Sequence, residues 1–216
     1  MRVILDIFNL LYGSARATHR LTRLFWHLGL TLLTLSLPFS LEAAETKGDL
    51  TNFHVVHDYL LRGGEPSRLG VKRLQELGVK TIVDLRAPSE AVFNEKKAAE
   101  QLGMRYINLP MSSKPPTAKQ VTEFEGAVSE AEAETKKAEP SNLEPGKKDA
   151  PAEAHYPGSV FVHCAHGSDR TGCMVGIWRV THDRWSYQKA YDEMRKYYFG
   201  PHYKDLANAV KTRASN

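Results

Sequence analysis

The chain is poor in cysteine: Cys164 and Cys173 are the only two in 216 residues. Two thiols cannot make the disulfide framework of a small secreted scaffold, and their spacing lacks the paired ligands of a structural zinc site. Charge of one sign is scarce as well. The formal net charge is +4, and residues 1–43 carry half of it, Arg2, Arg16, Arg20 and Arg23 standing against Asp6 and Glu42. So small an excess, with no basic face interleaved with aromatics, excludes nucleic acid as a partner. The apolar run Leu24–Leu37 is shorter than the ~18–20 residues that a membrane-spanning helix needs. His54, His57, His182 and His202 have no ligand spacing and read as ordinary surface or core histidines. No metal and no cofactor is expected.

What precedes and follows that apolar run is informative. Arg16 to Arg23 is basic, Pro38 follows the run, and Glu42-Ala43-Ala44 is rich in small residues. Basic flank, short apolar stretch and small residues are the three regions of a secretory signal. Residues 1–43 are therefore expected to be a signal peptide cleaved near Ala43, or the same segment kept as a membrane anchor. A buried N-terminal helix is the competing reading. The export signal implies a bacterial periplasmic or secreted location, with a possible membrane tether.

Beyond it, apolar periods alternate between two and three to four residues. Phe53–Val56 and Tyr59–Leu61 read as strands, followed by the turn Arg62-Gly63-Gly64-Glu65-Pro66. Ser67 caps a helix with Leu69, Leu74 and Leu77 on its apolar face and Gly78 as its stop. Val79–Leu85 is a buried strand, Ser89 caps a second helix to about Leu102, and Arg105–Leu109 is another strand. Strand–helix–strand alternation implies an α/β fold with parallel pairing and helices on the sheet faces. Thr117 and Gln120 form a capping box for a helix that decays after about Ala127. Residues 138–158, with Pro140, Pro145, Pro151 and Pro157 among charged and small residues, read as a disordered insertion. Helices over Thr171–His182, from the Ser186 cap through Tyr197, and over Asp205–Ala214 complete the pattern.

The most informative stretch is Val160-Phe161-Val162-His163-Cys164-Ala165-His166-Gly167-Ser168-Asp169-Arg170-Thr171-Gly172. It reads as strand, tight loop and helix, the geometry that converges backbone N–H groups on an anion at a helix N-terminus. Gly167 lets the loop turn, and Arg170 can hold a tetrahedral oxyanion bidentately. Cys164 beneath them is placed for nucleophilic attack, since a helix N-terminus and a guanidinium favour the thiolate, lowering a free value of ~8.5 to roughly 3.5–7.5.

His163, Cys164, Arg170 and Thr171 match, position by position, the His-Cys, five residues, Arg, Ser/Thr pattern that the stretch resembles: that of the cysteine-dependent protein-tyrosine and dual-specificity phosphatases. Leu61–Ser67, Leu77–Arg86, Gly176–Val180, Trp185-Ser186 and Glu193-Met194 look like the compact atypical dual-specificity branch of bacteria, plants and fungi. The likeness covers about residues 50–200 apart from the insertion. It implies one phosphatase-type domain over 44–216, with a central, mainly parallel sheet flanked by helices and the signature loop between the last strand and a helix. The implied activity is metal-independent hydrolysis of a phosphomonoester, on a phosphorylated protein or a small phosphorylated substrate, through a cysteinyl-phosphate.

The resemblance makes Cys164 the nucleophile and Arg170, with the loop Ala165, His166, Gly167, Ser168 and Asp169, the phosphate-binding element. His163 orders the loop, and Thr171 can donate its hydroxyl to the sulfur. Many relatives place an acidic residue after the strand equivalent to Arg105–Leu109, but Pro110–Pro116 holds no carboxylate or imidazole. The leading candidate for the general acid is Asp169, which also matches a sub-branch with Cys-x-x-Gly-x-Asp-Arg-Thr-Gly. Its counter-reading is an anchored carboxylate that never donates, and His166 is the next candidate. Asp84 and Arg86 read as a buried pair holding neighbouring loops, as does Arg62, though Asp84 and Arg86 could also reach the pocket. Cys173 reads as packing, or as the redox partner of Cys164. The alternatives for the whole chain are an inositol polyphosphate phosphatase, for which Lys114 would supply extra positive charge, and a phosphate-binding pseudophosphatase.

Overall fold

The computed structural model describes residues 48–137 and 154–214; the expected signal or anchor (1–43) and most of the expected insertion lie outside them. Short runs of β-branched, aliphatic and aromatic residues form the five strands: β1 His54–His57, β2 Leu60–Gly63, β3 Thr81–Asp84, β4 Arg105–Asn108 and β5 Val160–His163. Their order in the sheet is β1-β2-β5-β3-β4, with β1 antiparallel to β2 and the other pairs parallel. β5 is thus central, and its residues are all buried. The α/β class and the mainly parallel sheet agree with the sequence reading.

Because side chains alternate across a strand, each central strand feeds two cores. Leu60, Val83, Val160 and Val162 enter one with Phe124, Met174, Trp178 and Val210, while Leu61, Ile82 and Phe161 enter the other with Val71, Leu74 and Ala99. Full burial of such a side chain contributes roughly 1.5–3 kcal/mol. The helices are α1 Arg68–Glu76, α2 Glu95–Gln101, α3 Ala118–Lys137, α4 Asp169–Thr181, α5 Tyr187–Lys196 and α6 Lys204–Lys211. α1 and α2 cover the second core, and α3 to α6 the first.

Ser67 caps α1 by accepting from the Gly70 N–H at 3.0 Å, and Ser186 caps α5 through the Lys189 N–H at 3.3 Å. Four local expectations are corrected. The buried face of α1 is Gly70, Val71 and Leu74, and Leu69 is exposed, because five residues separate Leu69 from Leu74 and turn it to the far side. Ser89 does not cap a helix. It lies in a 3₁₀ turn over Pro88–Glu90 whose Glu90 carboxylate accepts from the Ala87 N–H, and Asn94 caps α2 through the Lys97 N–H at 2.9 Å. α3 does not decay after Ala127 but continues to Lys137. Ala, Glu and Lys are strong helix formers, and Val121, Phe124, Val128 and Ala131 extend one buried stripe. The end of the expected insertion is docked: Tyr156 is buried and donates its N–H to the Leu77 carbonyl, and Gly158 donates to Gly78.

Candidate active site

β5 ends at His163, which is in register with Gly63 of β2 and Asp84 of β3. Cys164 is therefore the first residue past the carboxyl edge of the central strand, where open α/β sheets place their ligands. It is 3% exposed. The chain turns through residues 165–168 and enters α4 at Asp169. Gly167 makes the turn with φ +73°, and a Cβ there would stand 2.4 Å from the Gly63 carbonyl carbon and 2.6 Å from the Gly64 nitrogen. No other residue fits.

The loop is braced from outside by three donors on consecutive carbonyls. The Glu65 N–H donates to Ala165 O at 3.1 Å, Asn52 Nδ2 to His166 O at 3.1 Å, and Arg62 Nη2 to Gly167 O at 2.7 Å. In a trans peptide the C=O and the following N–H point opposite ways. Turning these carbonyls onto the frame therefore aims the N–H groups of His166, Gly167 and Ser168 inward, as an anion cradle requires. The residues singled out for substrate binding, 165–170, are thus one continuous loop and helix start immediately after Cys164.

Arg170 is held by two loops: its Nη1 donates to Glu90 Oε2 at 2.7 Å and to Met111 O at 3.3 Å. Burial works to lower its pKa, but the Glu90 bond and the neighbouring negative charge outweigh it and raise the value. The same bond holds the Glu90 carboxyl below the usual carboxylate range. Thr171 Oγ1 is buried and has no hydrogen-bond partner, so its proton is available to a group in the cradle. Asp169 Oδ1 accepts from the Gly200 N–H at 2.7 Å. That bond ties the carboxylate to the loop after α5 and leaves Oδ2 without a hydrogen bond among the described residues. His166 is exposed.

Behind the loop lies a buried ionic network. Arg86 grips Asp84 through Nε at 2.9 Å and Nη2 at 2.8 Å, contacts Glu95 Oε2 at 2.5 Å, and pairs with Glu65 through Nη1. Tyr106 donates to Asp84 Oδ2 at 2.6 Å. His163 is fully buried, with Nδ1 3.3 Å from its neighbour's carbonyl, Cys164 O, and Nε2 3.1 Å from Glu95 Oε1. Neither Nε2 nor Glu95 Oε1 makes a well-formed hydrogen bond there. Burial alone would raise the Asp84 pKa; the Arg86 bonds, His163 and Tyr106 lower it instead. Asp84, Glu95 and His163 offer ligand atoms within 4.8 Å of one another. The Arg86 guanidinium already bridges both carboxylates, so the cationic position is filled by the protein. Asp84 and Arg86 are accordingly a buried ion pair, joined by Glu95 and Glu65, that ties β3 to α2 and to the turn after β2.

Cys173 faces away from this site: its thiol lies 3.5 Å from Leu206 O on α6, and burial pushes its pKa up to about 12. Both cysteines are free. Lys114 is exposed and pairs with Asp205 at 3.6 Å. Sequence reasoning did not find Asn52, Glu65, Glu90, Glu95 or Gly200. Glu65 and Arg62 flank a Gly-Gly turn, a signal of close backbone approach, but Asn52, Glu90 and Gly200 carry no local mark of their partners.

A model of the tyrosine phosphatase family matches residues 48–179. The dual specificity protein phosphatase TpbA of Pseudomonas aeruginosa is 25% identical over 149 residues, which make up 69% of this chain and 56% of that protein. The chain thus spans little more than half the length of this curated relative. A crystal structure of TpbA superposes with a TM-score of 0.56 at 22% identity, covering 75% of this chain and 84% of that one. A cysteine-to-serine form of TpbA in complex with phosphotyrosine gives 0.53 at 20% identity over 76% and 91%. The catalytic core of the PP-IP phosphatase SIW14 from S. cerevisiae gives 0.51 at 21% over 74% and 85%. At these identities the superpositions establish a shared fold.

Proposed function

Because the chain belongs to the tyrosine phosphatase family, we propose that it hydrolyses phosphomonoesters, phosphotyrosine among them, through a cysteinyl-phosphate on Cys164. One observation carries this reading: Cys164 lies at the carboxyl edge of β5, under a loop whose carbonyls at 165, 166 and 167 are all engaged from outside. Preorganised donors of this kind act on charge that develops in the transition state and cost no reorganisation. The Cys164 thiolate attacks phosphorus in line, the S–P bond forms, and the bond to the leaving oxygen breaks. The inward amides and Arg170 hold the equatorial oxygens. Asp169, through its free oxygen, gives a proton to the leaving alkoxide or phenoxide. The carboxylate then takes a proton from the water that attacks phosphorus and regenerates the thiolate. Neutralisation of the phosphoryl charge falls to a guanidinium and amides, so the reaction calls for no metal.

The fold likeness to SIW14 raises an inositol polyphosphate as a second substrate. Additional phosphates need surplus cations at the rim. Lys114 is paired with Asp205 and Arg170 with Glu90, which favours a single phosphoryl group. Hydrolysis of p-nitrophenyl phosphate with EDTA present tests the activity. Cys164→Ser is expected to lower turnover by at least about 10³-fold, and unchanged turnover would refute the nucleophile. Phosphotyrosyl peptides assayed beside inositol polyphosphates test the substrate class, and faster turnover of the latter would reverse the preference. The export proposed from residues 1–43 is tested by fractionation of cells producing the whole chain.

A further inference from the structure

Arg62 is an anomaly. It is fully buried on β2, its Nε and Nη1 have no hydrogen-bond partner, and among the described residues no carboxylate forms an ion pair with it. Its Nη2 donates to the Gly167 carbonyl at 2.7 Å, and its guanidinium carbon lies 4.6 Å from the centroid of the Tyr197 ring. A buried charge without a counter-ion is strongly unfavourable. Burial pulls the Arg62 pKa down to about 10, which leaves the group protonated at neutral pH. No directly paired carboxylate balances the positive charge, which is opposed only by anionic groups acting at a distance.

Glu193, Tyr197 and Cys164 act on Arg62, Glu193 foremost. Glu193 of α5 is already held by both Nε and Nη2 of Arg179, at 2.9 and 2.8 Å. Tyr197 presents its ring, and Arg179 is itself cationic. Cys164 is a further anionic group acting on both Arg62 and Arg170, and the sheet places it nearby: Arg62 is in register with Val162, two residues before Cys164 on the same face. The two guanidiniums differ in one respect. Arg170 is ion-paired with Glu90, while Arg62 forms no ion pair among the described residues and feels Glu193 only at a distance.

We propose that Arg62 is a positioning residue and the second fixed cation of the active site: it braces the phosphate loop through Gly167 and keeps Cys164 ionised from beneath. The proposal rests on Cys164 being the nucleophile. Removing the charge weakens the ionised sulfur, and removing only the fork geometry loosens the loop. Arg62→Met does both, while Arg62→Lys retains a cation but cannot reproduce the planar donor.

The test measures alkylation of Cys164 by iodoacetamide between pH 4 and 9, alongside p-nitrophenyl phosphate turnover and thermal unfolding. In Arg62→Met the alkylation midpoint is expected to rise by at least about one pH unit, a tenfold loss of reactive thiolate below the midpoint. In Arg62→Lys the midpoint is expected to stay within about 0.3 unit while kcat falls about tenfold. A folded Arg62→Met with the wild-type midpoint overturns the proposal. Should Arg62→Met lose cooperative unfolding, Arg62→Lys decides alone: wild-type kcat, or a midpoint raised by a full unit despite the retained charge, overturns it. A wild-type protein that neither turns over the ester nor alkylates preferentially at Cys164 refutes the functional reading instead, which separates the two failures.

Discussion

Asp169 illustrates how one hydrogen bond divides a residue's options. The Gly200 N–H occupies Oδ1 and orients the carboxylate, which leaves Oδ2 for the proton transfer proposed for this residue. A positioned acid contributes about 10²–10⁴-fold, and the need for it grows as the leaving group becomes more basic. Asp169→Asn is therefore expected to lower kcat on an alkyl phosphate by about 100-fold or more and to affect p-nitrophenyl phosphate far less. Steady-state kinetics on the two esters check this, and equal losses on both would remove Asp169 from the acid role. Glu90 is the complementary case. Its pair with Arg170 is two-fifths exposed on the acidic side, so solvent screens it and its main effect is to orient the guanidinium.

At the scale of elements, the signature loop and the β2 turn are one unit, packed backbone on backbone. A methyl group at position 167 has nowhere to go, with Gly63 carbonyl atoms 2.4 and 2.5 Å away and φ at +73°. Gly167→Ala is expected to abolish measurable phosphatase activity and to destabilise the fold by about 1–3 kcal/mol, read by urea titration. The second element-scale prediction concerns where α2 begins. Asn94→Ala removes the side-chain cap and is expected to cost about 1 kcal/mol, whereas Ser89→Ala stays within about 0.5 kcal/mol. The reverse order would return the cap to Ser89. α2 matters beyond its own length because it carries Glu95, the carboxylate that touches both Arg86 and His163.

For the molecule as a whole, the buried thiol of Cys173 sets an alkaline limit. Its folded value of about 12 lies above the unfolded value of ~8.5. The folded state therefore retains a proton that the unfolded chain has lost, and stability falls as pH rises between the two. The slope is about 1.4 kcal/mol per pH unit for one such group. In a Cys164→Ser background, where a single thiol remains, denaturant titrations at pH 8.5–10 are expected to show this loss. Adding Cys173→Ala is expected to flatten it, and an unchanged slope would assign it to other groups. Tyr59 and Tyr106 are also raised, chiefly by burial, and extend the decline at higher pH.

Sequence alone determined what depends on neighbours along the chain. The strand–loop–helix of 160–181, the caps at Ser67 and Ser186 and the alternation that makes the sheet mainly parallel are local patterns, and each reads directly. So does the spacing of Cys164, Gly167 and Arg170, because a cradle formed by successive amides needs its residues in succession. What reaches the cradle from elsewhere was decided by the tertiary structure. Glu90 meets Arg170 across 80 positions and Arg62 meets Gly167 across 105, and nothing local pairs one end with the other. The differences at α2 and α3 have another origin: a second local cap, Asn94, takes the role read for Ser89, and α3 runs on past Ala127 because its Ala, Glu and Lys favour helix and its buried stripe continues to Ala131. Chain-local chemistry specifies Cys164 and the loop that follows it; the charges around them come from segments brought together only when the strands pair around β5.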